Sequence, residues 1–243
     1  MRAGVLQRRA RMRPSHSSTA RPAVVREPRG LASHILLLLG VSAGALAACA
    51  KIGEDVLHHQ TSPFDEPIRD FVLAHQSRSA RGAFRVVTEA GAPRALVPAA
   101  GLVAAWFWRR RNLPIAAAVV MAPAVASGLF VAIKRVYARA RPTGGAPKRE
   151  QTYSFPSGHA TTSAAVFGAL AHVLWREEML PRPAALTVAT VPPLLIGTSR
   201  VYLDVHWATD VLGGWSVGAL VAALSGAVYE RVRRKTREEG VPA

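Results

Sequence analysis

Six long apolar runs divide this chain, and their lengths constrain its fold more than any other feature. A bilayer core of roughly 30 Å is crossed by about 20 helical residues rising about 1.5 Å each. Residues 31–50, 113–133 and 209 or 210–228, rich in Ala, Val, Leu and Gly, meet that length. The run at 95–108 is shorter and needs Trp106 and Trp108 at the membrane interface. The run at 157–175 begins inside a polar motif. The run at 184–198 contains Pro192-Pro193, which removes backbone donors and predicts a kink. A soluble bundle could bury one or two such runs. Six of them, in a chain whose residues are 50% hydrophobic, specify an all-α polytopic membrane protein built as a six-transmembrane helical bundle.

The formal net charge of +16 could suggest nucleic acid as a partner, but its distribution argues against that. Arginines crowd residues 1–30, recur at Arg109-Arg110-Arg111 and return at Arg231, Arg233, Arg234, Lys235 and Arg237. With six spans those three places share one side, and the positive-inside rule makes that side cytoplasmic. The chain then reads as a basic cytoplasmic tail (1–30), a membrane domain (31–228) and a charged cytoplasmic tail (229–243). An organellar transit peptide is a competing reading of the Arg-rich, acid-poor first segment. Residues 51–93, 135–156 and 201–205 fall on the extracytoplasmic side. Within 64–89, apolar residues among charges predict short interfacial helices or a packing loop. The single cysteine, Cys49, permits neither an intramolecular disulfide nor a metal site of several cysteines.

The loop 135–156 is itself basic, against the topological preference, which makes sense if it binds an anion. Three polar clusters border the apolar runs on this side: Lys134-x6-Arg141-Pro142, Pro156-Ser157-Gly158-His159, and Ser199-Arg200-x5-His206-x3-Asp210. If the helix continues past Lys134, that lysine and Arg141 lie on one face about 10 Å apart and can converge on one anion. Arg135 and Arg139 read as interfacial snorkelling residues. A helix starting at Ser157 turns unpaired N–H groups and its positive dipole end toward an anion, and Gly158 permits close approach. Ser157 adds a hydroxyl, and His159 in the first turn can protonate a leaving oxygen. Arg200 offers a planar fork for two phosphate oxygens. His206 and Asp210, four apart, share a helical face, so Asp210 can fix the imidazole tautomer while the other nitrogen attacks or acts as base. Asp204 is the second choice of partner. Together these are the parts of a phosphatase site.

A metal held by His159, His206 and Asp210 is the rival reading. Lys134, Arg141 and Arg200 would repel a divalent cation and already supply the charge neutralisation such a metal gives. No metal and no cofactor are therefore expected. His172, thirteen residues after His159 on one helix, is about 20 Å away and outside the site. His34 and the pair His58-His59 read as ordinary edge and surface residues.

At these residues the chain resembles the type 2 phosphatidic acid phosphatase family, whose pattern is Lys-x6-Arg-Pro, Pro-Ser-Gly-His and Ser-Arg-x5-His-x3-Asp. Every position is matched, and the family core covers about residues 64–228, with Thr88-Glu89-Ala90-Gly91 similar to the segment before its second span. The resemblance implies six spans, an extracytoplasmic site, His206 as a nucleophile forming a phosphohistidine, Asp210 as its helper and His159 as acid then base. It further implies that Lys134, Arg141, Arg200, Ser157 and the Gly158 amide hold the phosphoryl oxygens without a metal. The implied substrate is a membrane lipid phosphate: phosphatidate, phosphatidylglycerol phosphate or undecaprenyl diphosphate. A lipid phosphotransferase and a non-catalytic lipid-phosphate binder remain as alternatives. Heavy use of Ala and Arg points to a bacterial plasma membrane, and nothing in the chain sets an oligomeric state.

Overall fold

The computed structural model describes residues 31–142 and 152–238, and among them every regular element is a helix. They are α1 (Leu31–Leu57), α2 (Ser62–Ala74), α3 (Arg78–Ala90), α4 (Pro93–Arg109), α5 (Leu113–Tyr137), α6 (Gly158–Arg176), α7 (Arg182–Tyr202) and α8 (Ala208–Glu238). The tail 1–30, the loop 143–151 with Gly144, Gly145, Lys148 and Arg149, and residues 239–243 lie outside the described residues. The region expected as a C-terminal tail continues α8 as far as Glu238.

Local chemistry sets the helix ends. Proline stands in the first turn of α2, α4, α5 and α7, where its missing N–H costs no helical bond. The side chains of Ser77, Asn112 and Ser157 accept from the first turns of α3, α5 and α6. Ala138, in the left-handed region at φ 45°, closes α5 by donating its N–H to the Lys134 carbonyl.

Burial is inverted relative to a soluble protein. Alanines dominate the interior, including Ala118, Ala122, Ala126, Ala160 and Ala165, while Leu36, Leu39, Leu102, Trp108 and Val136 face outward. Such an exterior suits a lipid surrounding. Four helices have the length and apolarity to cross a membrane: Leu36–Leu57, Leu113–Tyr137, Arg182–Tyr202 and Ala208–Thr236. The pair α3 and α4, bent by 41°, forms a fifth candidate as a broken span or a re-entrant segment. The stretch read as interfacial helices or a loop is thus α2 plus one limb of that bent pair. α6, expected as a span, falls below the apolarity of the others because it carries His159, Thr161, Thr162, Ser163 and His172. The three consecutive hydroxyl residues are fully buried, so this polarity faces neighbouring helices. α7 runs on through Pro192 and Pro193 without ending.

α6 and α8 form the centre and run parallel. A Cβ on Gly214 would meet the Ser157 carbonyl and Ala160, one on Gly218 would meet Ala164, Gly168 faces Ala222, and Gly226 faces His172. Small residues four apart on both helices let the backbones approach closely, the usual device where lipid offers no hydrophobic drive to associate. α1 runs opposite to α8, with Leu38 beside Gly226 and Gly53 beside Tyr137. Both central helices therefore start at the same end of the bundle.

Candidate active site

Four helix ends meet there: the C-termini of α5 and α7 and the N-termini of α6 and α8. All three polar clusters of the sequence come together at this place.

Lys134, in the last turn of α5, donates from Nζ to the carbonyls of Tyr153 and Ser154, the latter at 3.4 Å. The spacing placed Arg141 on that helix if it continued, but α5 ends at Tyr137 and Arg141 lies beyond it. Its side chain is instead aimed by carbonyls: Nε donates to Thr152 O at 2.8 Å and Nη1 to Val205 O at 2.6 Å. Nη1 also lies 3.1 Å from His206 Nε2. Ser157 caps α6 through its side-chain oxygen, accepting from Ala160 N at 3.5 Å, and donates its own N–H to the Asp210 carbonyl at 2.9 Å. That bond ties the start of α6 to the start of α8. Gly158 opens α6, and a Cβ there would come within 3.2 Å of the Phe130 ring, so packing as well as access calls for glycine. His159 follows, half-buried, in the first turn. Arg200, 2% exposed, donates from Nη1 to Thr88 Oγ1 at 2.7 Å, which gives the Thr88 segment a contact with the site.

His206 Nδ1 lies 3.2 Å from Asp210 Oδ2. The contact arises differently from the shared helical face expected, since His206 and Trp207 precede α8. Asp210 Oδ2 also accepts Trp207 N at 2.9 Å, reaching back from the first turn as in a capping box and carrying the carboxylate to the imidazole. Nδ1 thus faces a carboxylate and Nε2 faces cations, which assigns the proton to Nδ1 and a lone pair to Nε2. Burial, then the charges of Arg141, Lys134 and Arg200, push His206 well below the ordinary imidazole value, so the ring is neutral near pH 7. Asp204, the second choice, pairs instead with Arg69, at 2.7 Å and 2.9 Å.

Two basic residues were missed by sequence reasoning. Arg139, expected to snorkel like the exposed Arg135, turns inward after left-handed Ala138 and reaches Asp210 Oδ1 at 2.7 Å. Arg94, paired with Glu89 at the start of α4, contributes its charge at His159. Three other histidines stay apart: His58 and His59 are exposed, and His172 bonds Glu230 at 3.2 Å at the far end of α6. Among the described residues no group of three or more His, Cys, Asp or Glu side chains is placed to hold a metal.

Known proteins resemble the chain in sequence and in fold. The model of the PAP2 superfamily matches residues 113–234. Phosphatidylglycerophosphatase B of Bacillus subtilis is 37% identical over 107 residues, 42% of this chain and 52% of that protein. The chain thus aligns with about half the length of that relative. Decaprenylphosphoryl-5-phosphoribose phosphatase of Mycobacterium tuberculosis is 36% identical over 134 residues, 52% of this chain and 68% of that protein. The crystal structure of a transmembrane PAP2 type phosphatidylglycerolphosphate phosphatase from Bacillus subtilis superposes with a TM-score of 0.71 at 25% identity, covering 79% of this chain and 98% of that one. The chain belongs to the PAP2 superfamily and is an integral membrane protein. Each of these relatives bears the name of a phosphatase.

Proposed function

We propose that the chain is a membrane lipid phosphatase that works through a phosphohistidine on His206. The observation that carries this is the convergence of cations around Nε2. Arg141 Nη1 lies 3.1 Å from it, and the charges of Lys134 and Arg200 act on the same ring. A phosphomonoester brings about two negative charges near neutral pH. A dianion between Arg141, Lys134, Arg200 and the first N–H groups of α6 suits that positive field.

Nε2 then attacks phosphorus, the bond to the leaving oxygen breaks, and His159 gives that oxygen a proton. Asp210 holds the Nδ1 proton and stabilises the charge that grows on the ring. Water, deprotonated by His159, next attacks the phosphohistidine and frees phosphate and His206. The cations do the electrostatic work on the transferring group, so no metal or cofactor enters. Ser157 and the Gly158 N–H complete the phosphate cradle.

The names of the relatives support phosphatidylglycerol phosphate, a decaprenylphosphoryl phosphoribose or undecaprenyl diphosphate as substrate, and phosphatidate is the candidate that the sequence resemblance adds. Six spans remain the preferred topology, because α6 lies alongside α8 through its length, and the bent pair α3 and α4 supplies one crossing. The arginines at 109–111 and after 230 are at the end opposite the site, which supports cytoplasmic termini, flanking cytoplasmic tails and an extracytoplasmic site in a bacterial plasma membrane.

The test is phosphate release by purified protein in detergent, with chelator present, from phosphatidylglycerol phosphate, phosphatidate and undecaprenyl diphosphate. Release from at least one lipid, inhibited by vanadate and indifferent to chelator, is expected. Complete loss with chelator, restored by a divalent ion, overturns the metal-free mechanism. Transfer to an added alcohol in place of release makes the chain a phosphotransferase. Silence on all three from folded protein leaves a binding role.

A further inference from the structure

Arg139 stands two residues from Arg141, yet its guanidinium lies behind the His206–Asp210 pair, away from Nε2. Nη1 donates to Asp210 Oδ1 at 2.7 Å and to Thr209 Oγ1 at 2.8 Å. Nη2 donates to Asp65 Oδ2 and Thr61 Oγ1, each at 2.7 Å. Asp65, on α2 and 2% exposed, accepts the Thr209 N–H at 2.9 Å on Oδ1 and the Thr209 hydroxyl at 2.7 Å on Oδ2. One arginine and one buried carboxylate thus join α2, the segment after α5 and the first turn of α8.

The division of Asp210 between its two oxygens gives this network its meaning. Oδ1 takes Arg139 and, at 3.4 Å, the Ser154 hydroxyl; Oδ2 takes Trp207 N and faces His206 Nδ1. A fully buried carboxylate needs a directly bonded cation to stay charged, and a fork fixed at one oxygen also fixes where the other points. Asp65 in turn prevents Arg139 from swinging toward the phosphate side, since two of its contacts lie on α2 or the residue before it.

We propose that Arg139, held by Asp65, is a positioning residue: it keeps Asp210 charged and its Oδ2 aimed at Nδ1, so that Nε2 of His206 presents its lone pair to phosphorus. The inference rests on the phosphohistidine reading. It separates two neighbouring arginines by role, Arg141 facing the substrate and Arg139 facing the dyad.

The experiment compares wild type, Arg139→Gln, Arg139→Lys and Asp65→Asn on phosphatidylglycerol phosphate, phosphatidate and undecaprenyl diphosphate, with the first substitution repeated in Asp210→Asn. Arg139→Gln is expected to lower kcat about 100-fold with KM within about 3-fold. Lysine recovers about 10-fold of that loss, because an ammonium reaches one carboxylate but lacks the fork. In the Asp210→Asn background the same substitution costs less than about 3-fold, as residues acting through one another do. The acid limb of the pH–rate profile moves to higher pH in Arg139→Gln, since Asp210 loses the cation bonded to Oδ1 while Lys134, His206 and Asp65 stay in place. Asp65→Asn lowers kcat about 3- to 10-fold at unchanged KM.

A raised KM with kcat kept would make Arg139 a substrate ligand and overturn the proposal. So would an undiminished 100-fold loss, about that size, in the Asp210→Asn background. If Arg139→Gln does not fold, wild-type kcat and pH profile in both Arg139→Lys and Asp65→Asn overturn it equally. Silence of the wild type on all three lipids defeats the phosphatase reading and this inference together, whereas an active wild type with indifferent variants defeats this inference alone.

Discussion

The two ends of the α6–α8 pair each set a histidine against a buried carboxylate, with arginines close by. At the site end His206 faces Asp210; at the far end His172 faces Glu230, both at 3.2 Å. At the far end Glu230 is also bound by Arg176, and Glu177 takes the Tyr229 hydroxyl and Arg233. There each arginine bonds a glutamate directly. At the site end Arg141 lies 3.1 Å from His206 Nε2, Lys134 and Arg200 act on the same ring, and a helix N-terminus points into the same space. A buried His–carboxylate pair is therefore no sign of chemistry by itself. The cations and helix N-terminus gathered at the ring nitrogen turned away from the carboxylate are what distinguish a site from a clasp between helices.

The sharpest way to break this comparison is to remove each histidine in turn. His206→Ala is expected to lower kcat/KM at least about 1,000-fold, because no other group can carry the covalent phosphoryl. His172→Ala keeps kcat/KM within about 2-fold, since it touches nothing that reaches substrate. Phosphate release and thermal midpoints measured together check both. Comparable losses from the two substitutions would erase the distinction between the ends.

This distinction was only partly legible in the amino-acid order. The three motifs announce themselves because Lys134, Ser157, His159, Arg200 and His206 sit at the edges of apolar runs, where helices end and charges gather on one side. Arg139 carries no such signal. It differs from Arg135 only because Ala138 adopts a left-handed conformation, a single backbone choice that no periodicity foretells. Asp65 is hidden in the same way among Glu66 and Asp70 on α2, and its burial depends on where α8 starts. The His206–Asp210 contact was foreseen from the right residues through the wrong geometry, since a cap and a helical face both join positions four apart. Gly214, Gly218, Ala222 and Gly226 spell a small-residue stripe that was readable, and it marks the parallel contact with α6.

A middle-sized effect sharpens the role of the far end. Glu230→Gln leaves Arg176 and His172 without their shared anion at a site 5% exposed, and it is expected to cost about 2–3 kcal/mol of stability. The folded fraction keeps its kcat/KM within about 2-fold. Unfolding in detergent followed beside phosphate release measures the two quantities separately. A rate loss larger than the loss of folded protein would mean that the far clasp also sets the site, through the register of α8 against α6.

The smallest effect concerns pH, and its sign follows from the position of His206. Burial, with Arg141, Lys134 and Arg200 around it, holds its folded value well below the ordinary 6.5. A nucleophilic Nε2 must be unprotonated, so kcat/KM should show no loss as pH falls through about 6.5 and should decline only at the lower folded value. Stability moves with the same sign. Between those two values the unfolded chain binds a proton at this imidazole that the folded chain does not, so stability falls as pH drops through the window and is unaffected above it. Bound phosphate or vanadate places an anion among the three cations, lifts the folded value and narrows the window. Thermal midpoints measured across that range, with and without vanadate, should therefore converge at neutral pH after the constant gain from binding is subtracted, and diverge below it. His206→Asn removes this part of the dependence. An inflection of kcat/KM near 6.5 in the wild type would instead mean that the positive field of the neighbouring cations does not reach Nε2, and the contrast between the two ends would lose its physical basis.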